Sequence, residues 1–160
     1  MKKLILLSAF FLTAVVLKAQ PTSDEVSLIQ SAYGMEKRAI VEQYMKLTDT
    51  EAAGFWKVYE EYETARKAYG KKRVDMIVEY ANNYANLTDD KAKEIVKNSL
   101  ANQTSFTKLQ QSTYAKMCKV ISPKRAAQFT QLETYLETVI RLNIWDDIPF
   151  IGELDDKRKN

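Results

Sequence analysis

Residues 47–84 read LTDTEAAGFWKVYEEYETARKAYGKKRVDMIVEYANNY, and this stretch decides the fold. It opens with a helix-start signature. Leu47 precedes the cap, Thr48 can cap with its hydroxyl, and Glu51 stands where its carboxylate can reach back to the capping amide. Ala52 is a small staple partner for Leu47. Apolar residues then recur every three or four positions, at Ala52, Phe55, Tyr59, Tyr62, Tyr69, Ile77, Tyr80 and Tyr84. At about 100° per residue they fill one broad arc, the pattern of an amphipathic helix with one buried face. No proline interrupts it, and Gly70 weakens it, by roughly 1 kcal/mol relative to alanine. Unbroken, the helix would run about 55 Å at roughly 1.5 Å per residue. A small compact domain needs less, so an elongated molecule is expected.

Upstream, Pro21 to Asp24 is a short polar entry. Val26, Ile29, Tyr33, Ile40, Val41 and Tyr44 then keep helical spacing from Glu25 to Lys46, with Gly34 a break point. Downstream, Leu87 and Thr88 open a third helix, with Thr88 as cap and Asp89 and Asp90 in the first turn, where the helix dipole favours acids. Ile95, Val96, Leu100, Phe106, Leu109, Tyr114 and Met117 carry it to about Val120. Ser122 caps a fourth helix and Pro123 takes its first position, the one helical site that suits proline. Phe129, Leu132, Leu136, Val139 and Ile140 form its stripe. Trp145, Ile148, Pro149, Phe150 and Ile151 make an apolar patch beyond it, and Glu153 to Asn160 is a charged tail expected to be disordered. The patch is expected to fold back and seal one end of the bundle, since exposed apolar patches are a liability; a docking strap for another chain is the alternative. With little glycine or proline and almost no β-branched alternation, the reading is all-α: an elongated antiparallel hairpin or bundle of about four helices, with coiled-coil-like packing.

The first 19 residues read as a signal peptide. Lys2 and Lys3 form a basic start, Leu4 to Leu17 is an apolar run short for a membrane span, and cleavage is expected near Ala19 or Gln20. A retained anchor is the alternative. The expected layout is therefore 1–19 signal, 20–143 helical domain and 144–160 apolar segment with charged tail. Sec export to a periplasm follows, with no stable membrane insertion after cleavage. The chain carries 24 Lys and Arg against 21 Asp and Glu, but Lys2, Lys3 and Lys18 leave with the signal and the mature charge balances. The compositional case for nucleic acid goes with them. The single cysteine, Cys118, excludes an intrachain disulfide; a buried thiol is favoured over an intermolecular crosslink.

No histidine is present, which removes the usual general base and the imidazole metal ligands. Met35, Met45, Met76 and Met117 are scattered and read as core filling. The pairs Glu60-Glu61, Asp89-Asp90 and Asp146-Asp147 are sequence neighbours that point about 100° apart on a helix and do not converge. Gly34, Gly54, Gly70 and Gly152 make no phosphate-cradling loop. No catalytic constellation can be assembled, so the chain is not expected to be an enzyme, and no cofactor or metal is implied.

The segments LTDTEAA, LTDDKAK and ISPKRAA repeat one device: apolar residue, hydroxyl cap, polar turn, alanine. Their starts, Leu47, Leu87 and Ile121, are 40 and 34 residues apart. A helical repeat array would need a motif inside the helices as well, and none is found. The Leu-Thr-x-x-Glu start on an exported helical chain of this size resembles the Spy and CpxP family of periplasmic proteins, which carries an LTXXQ motif. FWKVYEEYE and SPKRAAQFTQLE are similar to Bacteroidetes-type members. Glu51 stands where the family motif has glutamine, and Lys91 replaces it in the second copy.

The resemblance implies a homodimeric cradle. Members act as ATP-independent chaperones binding unfolded or envelope proteins, as stress adaptors, or as regulators of a sensor kinase; metal-linked sensing also occurs. The leading expectation is a chaperone-like or adaptor protein, with a regulator of a sensor kinase or anti-sigma factor as the alternative. Arg66 and Arg73 stand inside the apolar arc between Tyr62, Tyr69 and Ile77. A guanidinium there must find an acid, stack on the tyrosines or face an unsealed groove. Arg66, Arg73, Tyr62 and Tyr69 are accordingly the candidate client-binding residues, with snorkelling or pairing to a glutamate as the structural alternative.

Overall fold

The computed structural model describes residues 36–146 and 151. Four helices make up this region, and no strand is found among the described residues. Helix α1 covers residues 36–45. Helix α2 is Asp49–Asn83, followed by a 3-10 turn, Tyr84–Asn86; α3 is Asp89–Met117 and α4 is Pro123–Asp146. The expected signal peptide, the first part of the first helix, Ile148 to Phe150 and the charged tail lie outside the described residues. None of the described helices is long and apolar enough to cross a membrane.

The predicted caps mark the helix starts. The Lys91 amide donates to Thr88 Oγ1 at 3.3 Å, and the Arg125 amide to Ser122 Oγ at 3.4 Å, with Pro123 as the first helical residue. At α2 the box is closed mainly from the glutamate side. The Thr48 amide donates to Glu51 Oε2 at 3.1 Å, and the Thr48 hydroxyl lies 3.0 Å from the same oxygen. That amide bond holds the Glu51 carboxyl below its usual range. Arg125 then ties three helix ends together. Its Nε is ion-paired with Glu51 at 2.8 Å, and its Nη2 donates to the carbonyls of Met45 at 2.7 Å and Lys46 at 3.3 Å. Lys46 itself turns the chain out of α1 with φ at +43°.

Cross-links between α2 and α3 step in opposite directions, from Glu61–Lys116 through Tyr69–Asn102 to Glu79–Lys91, so the pair is an antiparallel hairpin. Helix α4 runs alongside α2, and α1 packs against both near their N-terminal halves. The core fills this lower half: Val41 and Met45, Phe55, Val58, Tyr59 and Tyr62, Met117 and Ile121, Ala126 and Phe129. Phe129 is its hub, with ring centroids of Phe55 at 5.3 Å, Tyr59 at 6.0 Å and Tyr62 at 6.1 Å, all edge-on. Cys118 is a partly buried free thiol against this core. Met45 and Met117 are core residues, as expected of them; Met76 is only partly buried and lines a groove instead, and Met35 lies outside the described residues.

Several stripes differ from the expected ones. In α4, Val139 is exposed, while Glu133 and Glu137 are buried. In α1 the buried row is Lys37, Val41 and Met45, while Ile40 and Tyr44 are exposed. A lysine at the first of these i, i+4 positions hides the row from an apolar count. In α3, Val96, Leu100 and Tyr114 are exposed, because only one side of that helix meets α2 and α4.

Gly54 has a packing role that sequence periodicity misses. An added Cβ would lie 2.9 Å from Val120 Cβ and 3.2 Å from its Cγ1, so α2 passes directly against the α3–α4 turn. Gly54→Ala gains roughly 1 kcal/mol of helix propensity. The overlap is with a branched carbon close to the backbone, which cannot swing away, and overpacking of this kind costs about 1–3 kcal/mol. The net expectation is a lower urea midpoint for Gly54→Ala, and a smaller drop when the same change is made in a Val120→Gly background, which removes the Cβ that it meets. A midpoint that rises in the single variant would show that the turn yields freely.

Candidate functional site

Beyond the aromatic core, α2 first meets a buried ionic cluster and then an open apolar groove. The cluster begins at Lys37, 1% exposed, whose Nζ lies 2.5 Å from both Glu63 Oε1 and Glu133 Oε1. The Tyr62 hydroxyl donates to the same Glu133 oxygen at 2.6 Å, and the Lys37 ammonium sits 5.3 Å from the Tyr62 ring centre. Arg66 grips Glu63 with Nε and Nη2 at 3.0–3.1 Å and reaches Glu137 Oε1 with Nη1 at 3.3 Å. Arg73 takes the other Glu137 oxygen at 3.3 and 3.4 Å. Three cations, Lys37, Arg66 and Arg73, thus meet three carboxylates, Glu63, Glu133 and Glu137.

Their electrostatics are uneven. Burial pushes the Glu63 carboxyl up, but Lys37 and Arg66 outweigh it and hold the group below its usual range. Glu133 goes the other way: burial raises it, and Lys37 and Tyr62 offset this only in part. Its second oxygen is buried with no hydrogen-bond partner among the described residues. Burial and then the Glu133 charge drive the Tyr62 phenol far above its ordinary range. Burial disfavours the Arg66 charge, but its bond to Glu63 and the surrounding carboxylates raise it overall.

This geometry places the four candidate client-binding residues differently from one another. Arg66 and Tyr62 are inside the protein and are bonded to its own glutamates, so they present nothing to a client in this conformation. The pairing that a guanidinium inside an apolar arc demands is met from α4, by Glu137, as well as from Glu63 one turn away. Tyr69 is half-buried against Phe106, with ring centres 6.1 Å apart, and its carbonyl accepts from Asn102. Arg73 is the outermost of the set and lines the groove. Sequence reasoning passed over Lys37, Glu63, Glu133 and Glu137. The signal available was positional: Glu133 and Glu137 follow Phe129 at i+4 steps on the buried face of α4, just as Lys37 heads the row to Met45.

Past Arg66 no residue of α2 is fully buried. There α2, α3 and the end of α4 leave a groove of about 390 Å³. Met76, Ile77 and Tyr80 form one wall, Ile95, Val96 and Leu100 the opposite one, and Ile144 and Ile151 the end contributed by the C-terminal part of the chain. Polar side chains line it as well: Arg73 from α2, Arg141 from α4, and Ser99, Asn102 and Gln103 from α3. Arg141 Nη2 donates to Gln103 Oε1 at 2.8 Å. No group of three or more His, Cys, Asp or Glu side chains is placed to hold a metal ion among the described residues. What the arrangement offers is an apolar trough with a cationic margin, supported from below by a rigid ionic cluster. No protein-family model, no curated protein and no solved structure matches this chain.

Proposed function

We propose that this chain is an exported, ATP-independent, chaperone-like binding protein that works in the periplasm as a homodimeric cradle. The observation that carries the reading is the division of α2 into a sealed half and an open one. Below Arg66 the helix is locked by aromatic packing and ion pairs; above it, apolar side chains face a trough that the described residues leave uncovered. A surface of Met, Ile, Leu and Tyr side chains suits adaptable capture, because such residues fit many apolar shapes with modest energy per contact. Second copies would find further apolar area on α1 and α4, where Ile40, Tyr44, Tyr135 and Leu142 are exposed. Nothing in this scheme needs catalysis or a cofactor.

The test is aggregation of a thermally unfolded client followed by turbidity, without nucleotide. The purified chain is expected to slow aggregation and to weigh two chains by light scattering. Val96 and Leu100 are 55% and 63% exposed, so Val96→Glu with Leu100→Glu should leave helicity intact while removing most of the protection. Full protection by the double variant would move the client surface elsewhere, and no protection by the parent chain would end the chaperone reading.

A further inference from the structure

We propose that the groove between α2, α3 and the end of α4 is a binding site for a single-chain amphiphile with an anionic head, of the fatty-acid carboxylate class. The acyl chain would lie along Met76, Ile77, Ile95, Leu100 and Ile144, with the head at Arg141. This does not depend on client capture.

Charge supplies the first argument. Lys37, Arg66 and Arg73 are matched by Glu63, Glu133 and Glu137. Both Glu137 oxygens are taken, one by Arg66 and one by Arg73. Arg141 is the groove's remaining cation: among the described residues no carboxylate lies within ion-pairing distance of it, and its Nη2 donates to the neutral Gln103 amide. A guanidinium has five N–H donors in a planar fork that fits a carboxylate with two parallel bonds. Burial makes this charge costly, the nearby Arg73 charge adds to the cost, and the Glu137 carboxylate offsets only part of it, so the Arg141 pKa is lowered. An anion arriving at the margin would relieve both.

The second argument concerns what the apolar part of the trough will accept. Its volume of about 390 Å³ lies in the range of small-molecule sites. Along Met76, Ile77, Ile95, Val96, Leu100 and Ile144 the lining side chains carry no hydrogen-bonding group. A hydrocarbon chain asks for no hydrogen-bond partner there, so burying it leaves no polar group unpaired. Mostly hydrocarbon walls bordered by the Arg73 and Arg141 guanidiniums match a molecule with one charged end.

Calorimetric titration with dodecanoate, dodecanol and dodecyltrimethylammonium, each below its micelle concentration, tests this on the purified chain. One dodecanoate per chain is expected, bound roughly tenfold or more tightly than the alcohol, as a charge-assisted hydrogen bond would give. The cation should bind most weakly. Arg141→Gln should bring dodecanoate down to the level of the alcohol and leave alcohol binding unchanged. Should Arg141→Gln perturb folding, Leu100→Glu, at a 63% exposed site, is the second variant and should abolish dodecanoate binding with the helical spectrum intact. Equal binding of all three probes, or a carboxylate preference that survives both variants, would overturn the proposal. So would tighter binding of an apolar peptide ending in a carboxylate, which would leave the groove to the client segments alone. Loss of dodecanoate binding in a chain that still protects clients would separate this failure from failure of the chaperone reading.

Discussion

Lys37→Met is expected to destabilise the protein by about 3–5 kcal/mol, the cost of leaving buried carboxylates without their cation. The Lys37 ammonium bridges Glu63 on α2 and Glu133 on α4, and both partners are buried with it. Methionine keeps the length of the side chain, so the loss is electrostatic more than steric. Two further measurements identify the mechanism. First, Lys37→Met combined with Glu133→Gln should recover most of the loss, because one charge of each sign has gone and the glutamine oxygen can still accept from Tyr62. Second, the cost should shrink as pH falls from 7 toward about 4, near the unfolded carboxylate range.

The sign of that trend follows from the two glutamates. In the parent chain Glu63 is held below its unfolded pKa. Its contribution is therefore present above the unfolded value and lost as pH falls through the folded one. Glu133 is raised, so burying its ionised form costs stability at neutral pH, and protonation relieves that cost. Without Lys37 both carboxyls move upward, and acid protonates groups that no longer have a cation. A penalty equal at both pH values would mean that packing, not charge, accounts for the loss.

Phe129→Ala should cost about 3–5 kcal/mol, the range for deleting a buried aromatic ring and leaving a cavity. Phe129 is 2% exposed, and its ring is the one that Phe55, Tyr59 and Tyr62 all meet edge-on. It is α4's main hold on α2, and removing it also strips packing from Tyr62, whose hydroxyl positions Glu133. Urea denaturation should show a large drop in midpoint with the slope unchanged. Phe129→Leu, which refills much of the volume, should lose clearly less. A cost under about 1 kcal/mol for the alanine variant would mean that α4 is not docked through this ring.

The Phe129 experiment probes a place where sequence and structure agree, the Lys37 experiment one where they part. The helices themselves were legible because their determinants are local. Thr88, Ser122 with Pro123, and Glu51 act within one turn of their own backbone, and a run without proline from Leu47 to Asn83 has no competing structure. The all-helical class and the positions of α2, α3 and α4 follow from those residues and from a 3.6-residue period. The central stripe of Phe55, Tyr59 and Tyr62 was equally plain, because each is apolar on one face of its own helix.

The site was not legible in the same way. Whether Arg66 faces solvent or a glutamate depends on Glu137, 71 residues along the chain, and no local pattern links the two. Lys37 reads as a surface lysine until Glu63 and Glu133 arrive from two other helices to neutralise it. Gly54 has no role that periodicity can show until Val120 is found against it. The groove beyond Arg66 arises because α2 outruns the part of the bundle that seals it, so residues with core-like periodicity, Ile77 and Tyr80 among them, remain partly open. Periodicity states which face of a helix seeks burial. Only tertiary packing decides how far along that face burial is supplied, since the covering side chains come from other helices.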